Sequence, residues 1–293
     1  MTTTETASPR YATIEDWSST EIVEGIVEGQ FAAIAAVQNA RAAIAEVIDR
    51  AAERLESGGR LIYLGAGTSG RIATQDASEL PPTFSWPYER AISLMAGGNG
   101  AFAQAAEGAE DSEEQAIEAL ETIGVNNKDV VFGLAASGST PFAVTGLAHA
   151  RKKGALTVGI YNNPEGRIGE VCELPVLLDT GAEFLAGSTR MKAGTAQKAA
   201  LNCISTGVMM KLGFVYKGLM VEMRATNAKL RERAVRIVAR IADADHDAAR
   251  ASLEATGGSI KLAILMLAKS LDRNAAQACL EAAGGNLRRA MEA

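Results

Sequence analysis

Two glycine- and hydroxyl-rich segments mark places where this chain could hold a charged small molecule. The first is Gly65-Ala66-Gly67-Thr68-Ser69-Gly70, followed by Arg71; the second is Ser137-Gly138-Ser139-Thr140. Glycines let the backbone approach a ligand, a helix N-terminus offers unpaired N–H groups at its positive dipole end, and hydroxyls add donors. Gly67, Thr68, Ser69, Ser137, Gly138, Ser139 and Thr140 are therefore candidate ligand contacts. One such loop alone reads better as a tight strand-to-helix turn with capping hydroxyls. Two matching loops favour a ligand, and a phosphate monoester carrying a polar sugar suits them. The first segment also matches the G-x-G-x-x-G dinucleotide pattern. That pattern wants an acidic residue after a second strand, roughly 20 residues on, to hold a ribose. The chain has Leu80-Pro81-Pro82-Thr83-Phe84-Ser85-Trp86-Pro87 there, so no nicotinamide is expected.

Other chemistries find little support. The two histidines, His149 and His246, and the three cysteines, Cys172, Cys203 and Cys279, are far apart. No zinc-ligand spacing, disulfide framework or histidine triad emerges, so no metal is expected and the chemistry falls to carboxylates, hydroxyls, Lys or Arg. The net charge of −6 and 5% aromatic content argue against gripping or stacking nucleic acid. The N-terminus lacks a basic-then-apolar signal, and apolar runs such as 262–268 are too short to span a bilayer. A soluble cytoplasmic protein without membrane or nucleic-acid partners is expected.

The elements that must position the loops can be read from periodicity. Residues 1–10 read as a disordered tail. Ser18 or Ser19 caps a long helix with an apolar stripe through Ile22, Val23, Ile26, Val27, Phe31, Ile34 and Val37, and a second helix covers 42–55. Leu61-Ile62-Tyr63-Leu64 is a buried strand entering the first loop, and the helix after it should stop at Leu80-Pro81-Pro82. Residues 130–134 form a strand, and a helix begins at Pro141 with Thr140 as its cap. Residues 156–160 and 174–178 are two more strands. Strands alternating with helices imply an α/β fold with a doubly wound, mostly parallel sheet. Beyond Lys192 the chain reads as helical to its end. It carries a weak repeat there, Leu253-Glu254-Ala255-Thr256-Gly257-Gly258 against Leu280-Glu281-Ala282-Ala283-Gly284-Gly285. The expected organisation is an N-terminal tail and helices over 1–57, the α/β domain over 58–222, and a C-terminal helical subdomain over 223–293.

The loop pair resembles the SIS family of phosphosugar-binding domains. A wider set of segments narrows the resemblance: Asp76-Ala77-Ser78-Glu79-Leu80-Pro81-Pro82, Ala96-Gly97-Gly98, Glu107-Gly108-Ala109-Glu110-Asp111, Ala135-Ala136-Ser137-Gly138, and the run from Gly187 to Lys198. Together with the first loop they resemble the N-acetylmuramic acid 6-phosphate etherases, over nearly the whole chain. Ser139 stands where that family often carries a longer residue such as Arg. The resemblance implies a cofactor-free lyase that releases D-lactate from a sugar phosphate by elimination and water addition. It also implies a homodimer with sites near the interface.

Such a reaction needs two carboxylates in opposite protonation states. The resemblance assigns these roles to Glu79 as acid and Glu110 as base. Glu79 would fall in the last turn of its helix, where the negative dipole end disfavours a charged carboxylate. Taken without the resemblance, Glu79 reads as a solvated glutamate. Glu110 lies in an acidic run of the kind that usually forms a solvated face. Glu183, Ser188, Thr189 and Lys192 form a polar group entering a long helix and are implied to border the sugar. A non-catalytic phosphosugar-sensing regulator and an aldose–ketose isomerase share the hydroxyl loops; the etherase alone requires both carboxylates.

Overall fold

The computed structural model describes residues 3–104, 106–225 and 227–293. They divide into two compact units, one comprising the chain up to Ser78 with Tyr88–Thr206, the other Glu79–Pro87 with Gly207–Ala293. Along the chain come α1 (Ser19–Asn39), α2 (Arg41–Glu56), β1 (Leu61–Gly65), α3 (Gly67–Phe84), β2 (Ala91–Met95), α4 (Glu113–Thr122) and β3 (Val130–Ala135). They are followed by α5 (Pro141–Lys152), β4 (Leu156–Tyr161), α6 (Ile168–Val171), β5 (Leu174–Leu177) and α7 (Lys192–Lys211).

The first unit is built on a five-stranded sheet in the order β2-β1-β3-β4-β5. Every pairing in it is parallel. β1, β3 and β4 are buried along their whole length, as expected for strands covered on both faces. Pro175 is tolerated because β5 is an edge strand, paired only with β4. The expected doubly wound α/β architecture is present. Ser18 and Glu21 form a full capping box at the start of α1, which matches the signal in the sequence. Among the described residues no single helix is long and apolar enough to cross a membrane.

Three local expectations are corrected. First, α3 does not stop at Leu80-Pro81-Pro82 but contains both prolines and runs to Phe84. Proline deprives the preceding turn of donors. That cost is offset by burial of Leu80, Phe84 and Trp86, and the Ser85 N–H closes the end onto the Pro81 carbonyl at 2.9 Å. Second, the supposed tail over 1–10 takes up defined structure from Thr3 onward, residues 1–2 lying outside the described residues. Thr3–Glu5, Pro9–Tyr11 and Ile14–Asp16 form short 3₁₀ turns, and Tyr11 and Trp17 pack on Phe184 with ring centroids 4.8 and 5.9 Å away. Third, the chain after α7 is not wholly helical. β6 (Val215–Tyr216) and β7 (Leu219–Met220) form an antiparallel hairpin. Its two turn residues, Lys217 and Gly218, both have positive φ, the requirement of a tight primed turn.

The second unit continues with α8 (Ala228–Ala242), α9 (His246–Ala255), α10 (Ile260–Ala268), α11 (Arg273–Ala282) and α12 (Leu287–Glu292), around a core that includes Val238, Ala263, Ile264 and Leu287. The repeat is visible in its caps. Asp245 and Asp272 cap α9 and α11, and Ser259 and Asn286 cap α10 and α12.

Candidate functional site

The numbering of the sheet places the site. In the order 2-1-3-4-5, β1 and β3 are neighbours whose onward connections run to opposite sides, and ligands bind outside the carboxyl ends of strands at such a switch point. Gly65 of β1 is level with Leu134 of β3. The first hydroxyl loop therefore emerges beside the second.

The first loop is very short: Ala66 alone separates β1 from α3. Gly65 and Gly70 are needed because a Cβ on either would come within 2.9 Å of the other's backbone. α3 therefore starts directly against the sheet end, with Gly67, Thr68 and Ser69 in its first turn. In the second loop Gly138 has φ +69° and its Cβ would meet Gly166 Cα at 2.7 Å. The Ser137 hydroxyl accepts the Ser139 N–H at 3.1 Å and stands 3.5 Å from the Thr140 hydroxyl. Thr140 occupies the cap position of α5, but its side chain makes no capping hydrogen bond, so that hydroxyl remains directed toward Ser137.

A cavity of about 490 Å³ opens at these loops, within the first unit. Gly67, Thr68 and Ser69 line it on one side, Ser137, Ser139 and Thr140 on another, with Glu110, Asp111, Thr189 and Glu5 completing the wall. Its size falls in the range that takes a small polar ligand. An adjoining cavity of about 220 Å³ shares Ala66, Gly67 and Glu110 and adds Arg71, Met95 and Glu107. Glu110 thus stands between the two spaces. It rides on the short turn Ala109–Asp111, entered through Gly108 in the left-handed region. Arg71 holds the neighbouring segment by donating to the carbonyls of Ala101 and Phe102 at 3.1 and 2.9 Å.

Gly138, Glu183, Ser188 and Lys192 are not among the residues lining the larger cavity. Gly138 shapes its loop from behind. Glu183 is 1% exposed and accepts the N–H groups of Lys192 and Ala193 at 3.2 and 3.0 Å, so it caps α7. Burial pushes its carboxyl upward and these N–H groups oppose the shift. Burial lowers Lys192, against the attraction of Glu183 and Asp179. Glu79 is exposed on α3. Because α3 runs to Phe84, Glu79 lies more than a turn before the helix end, and the expected dipole argument does not apply to it.

Two features escaped the sequence. Asp76, 5% exposed, accepts hydrogen bonds from the Tyr63 hydroxyl at 2.9 Å, the Ser205 hydroxyl at 3.0 Å and the Asn202 amide at 3.2 Å. Burial raises its carboxyl and the three donors counteract. Glu5 reaches the cavity from a segment with no periodic pattern to betray it. The second parallel strand absent from 80–87 is β2, at Ala91–Met95. No acidic residue follows it directly; the chain continues Ala96-Gly97-Gly98.

Known proteins place this geometry. Residues 43–151 match the family model for the glucokinase regulatory protein N-terminal SIS domain. A phosphoheptose isomerase structure from Francisella tularensis superposes with a TM-score of 0.50 at 18% identity, over 66% of this chain and all of that one. This likeness is one of fold. An N-acetylmuramic acid 6-phosphate etherase of Deinococcus radiodurans is 47% identical over 92% of this chain and 88% of its own length. That of Pectobacterium atrosepticum is 46% identical over 91% and 88%. With identity at this level along almost its full length, the chain belongs to the N-acetylmuramic acid 6-phosphate etherase family.

Proposed function

We propose that this chain cleaves the D-lactyl ether of N-acetylmuramic acid 6-phosphate, giving N-acetylglucosamine 6-phosphate and D-lactate in the recycling of cell-wall sugars. The observation that carries the reading is the meeting of two hydroxyl loops and Glu110 in one cavity at the β1/β3 switch point. The phosphate sits at the N-termini of α3 and α5, where free N–H groups and hydroxyls supply donors. The sugar extends toward Glu110 and Thr189.

In the open-chain aldehyde the C2 hydrogen is acidified. Glu110 takes that proton, the C3–O bond breaks, and Glu79 protonates the departing lactate oxygen. Water then gives one proton to the Glu79 carboxylate as its oxygen adds at C3 of the unsaturated intermediate, Glu110 returns the abstracted proton to C2, and the sugar phosphate product forms with both carboxyl groups restored. Glu110 is supported as base by its place on the cavity wall. Glu79 as acid rests on the motif it shares with the family, three residues beyond the buried anchor Asp76. Every step uses groups of the chain and water, and no cofactor is part of the proposal.

The reading includes a cytoplasmic homodimer with sites near the interface. Its support is the outer face of α1, where Val23, Val27, Phe31 and Ile34 are 59%, 48%, 73% and 54% exposed at helical spacing. A contiguous apolar stripe of that kind marks an interaction surface. The decisive experiment is incubation with N-acetylmuramic acid 6-phosphate and an assay for D-lactate. Release of D-lactate supports the reading; binding without release leaves a phosphosugar sensor, and aldose–ketose interconversion without release leaves an isomerase.

A further inference from the structure

We infer that Glu5 is a substrate-selecting residue, delivered to the cavity by an amino-terminal hook anchored at Thr4. This inference rests on the sugar-phosphate reading of the cavity and concerns the same site. Thr4 is 1% exposed. Its N–H donates to Asn163 Oδ1 at 3.2 Å, its hydroxyl accepts from Asn163 Nδ2 at 3.0 Å, and its carbonyl accepts the Gly187 N–H at 3.0 Å. Asn163 in turn donates to the Ala136 carbonyl at 2.7 Å, beside the second hydroxyl loop. The hook is thus fastened to the same loop system that would hold the phosphate.

The next residue, Glu5, lines the cavity with Ser137, Glu110 and Thr189. Its carboxylate lies over Gly187, whose missing Cβ would meet Glu5 Oε2 at 2.8 Å. An ionised carboxylate only accepts hydrogen bonds and repels phosphate. Glu5 therefore faces the hydrogen-bond donors of the sugar, a ring hydroxyl or the amide N–H at C2, and gives a cavity lined by hydroxyl and N–H donors a charged acceptor.

The test measures the binding of three probes to the full-length chain and its Glu5→Ala, Glu5→Gln and Thr4→Val variants. Glu5→Ala should weaken N-acetylglucosamine 6-phosphate by roughly tenfold or more, the loss of one hydrogen bond to a charged group. Glu5→Gln, which keeps an acceptor oxygen, should recover much of it, and Thr4→Val should behave like Glu5→Ala. With 2-deoxyglucose 6-phosphate as second probe, a loss confined to the N-acetyl sugar identifies the amide as donor, and an equal loss identifies a hydroxyl. Either pattern supports the assignment. Inorganic phosphate should bind Glu5→Ala at least as tightly as wild type, because a repelling charge is gone. Unchanged sugar phosphate affinity in Glu5→Ala, or weakened inorganic phosphate, overturns the inference. Wild type that binds these sugar phosphates but releases no D-lactate from N-acetylmuramic acid 6-phosphate defeats the etherase reading alone, and a selective loss in Glu5→Ala still supports the Glu5 assignment. Wild type that binds neither sugar phosphate overturns both.

Discussion

The Ser205 hydroxyl donates to Asp76 Oδ1 at 3.0 Å, so a residue on α7 is tied to one on α3 by a buried hydrogen bond 129 positions apart in sequence. Tyr63 of β1 and Asn202 of α7 complete the set on the same carboxylate. One side chain therefore fixes two helices and the strand that feeds the first loop. Removing it in Asp76→Ala would leave three donors without their acceptor. At about 1–3 kcal/mol for each buried unsatisfied group, the buried Tyr63 and Ser205 hydroxyls should make the loss exceed roughly 2 kcal/mol, read as a lower midpoint in chemical denaturation.

Asp76 also makes stability depend on pH. Its carboxyl is raised in the folded chain, chiefly by burial. The native state then holds a proton more tightly than the unfolded state, so the contribution is fully present below the ordinary aspartate range and declines as pH rises through the raised value. Asp76→Asn can keep the geometry, with its carbonyl facing Ser205 and its amide facing the tyrosine oxygen. Denaturation midpoints followed from pH 3 upward should show a smaller decline in that variant than in wild type. An identical slope would mean that Asp76 is not the group responsible.

Ser137→Ala should raise KM with a smaller loss of kcat, because in the proposed reading the Ser137 hydroxyl, which lines the cavity, meets the phosphate rather than the reacting carbons. About 1.5–3 kcal/mol is the expected loss for one hydrogen bond to a charged group. Steady-state kinetics with the phosphorylated substrate checks the split, and equal activity on unphosphorylated N-acetylmuramic acid would remove the phosphate from the site.

The two glutamates should fail in different ways. Glu79→Gln should still exchange the C2 hydrogen in deuterated water while releasing little lactate. Glu110→Gln should lose exchange and release together. Each loss should reach the roughly 10²–10⁴-fold typical of general acid–base groups. Proton exchange followed by NMR beside a lactate assay distinguishes the roles, and the opposite pattern reverses them.

Phe31→Asp on the outer face of α1 should shift the chain to a smaller sedimenting species at micromolar concentration. Phe31 is 73% exposed in the single chain, so the fold of each copy should survive, as far-UV circular dichroism would verify. A sedimentation coefficient unchanged from wild type would move the interface elsewhere.

The parts of the fold legible in the sequence are those where local pattern and tertiary burial agree. β1, β3 and β4 are apolar on both faces and read as strands at once, and the capping box at Ser18 announces α1. β2 was invisible because it is half-exposed, places Ser93 at its centre and follows a proline-rich stretch that carries no strand signal. There the Thr74 and Ser93 hydroxyls meet at 2.5 Å, a polar contact that periodicity cannot foresee. The proline rule failed at Leu80 because burial of Leu80 and Phe84 outweighs the lost donors. At the site, both loops were legible from glycine and hydroxyl spacing, and Glu110 only through resemblance. Glu5 was illegible, since its position depends on Asn163, 159 residues from Thr4.

The helix N-termini beside β1 and β3 line the cavity with glycines, main chain and the hydroxyls of Thr68, Ser69, Ser137, Ser139 and Thr140, whereas Glu5 and Glu110 arrive at its rim on separate short turns. Main-chain donors survive most point mutations, while a ligand-selecting side chain at the rim can be exchanged by one. Over evolutionary time such a scaffold can be handed from one sugar to another by altering the rim alone, its grip on the common charged group inherited intact.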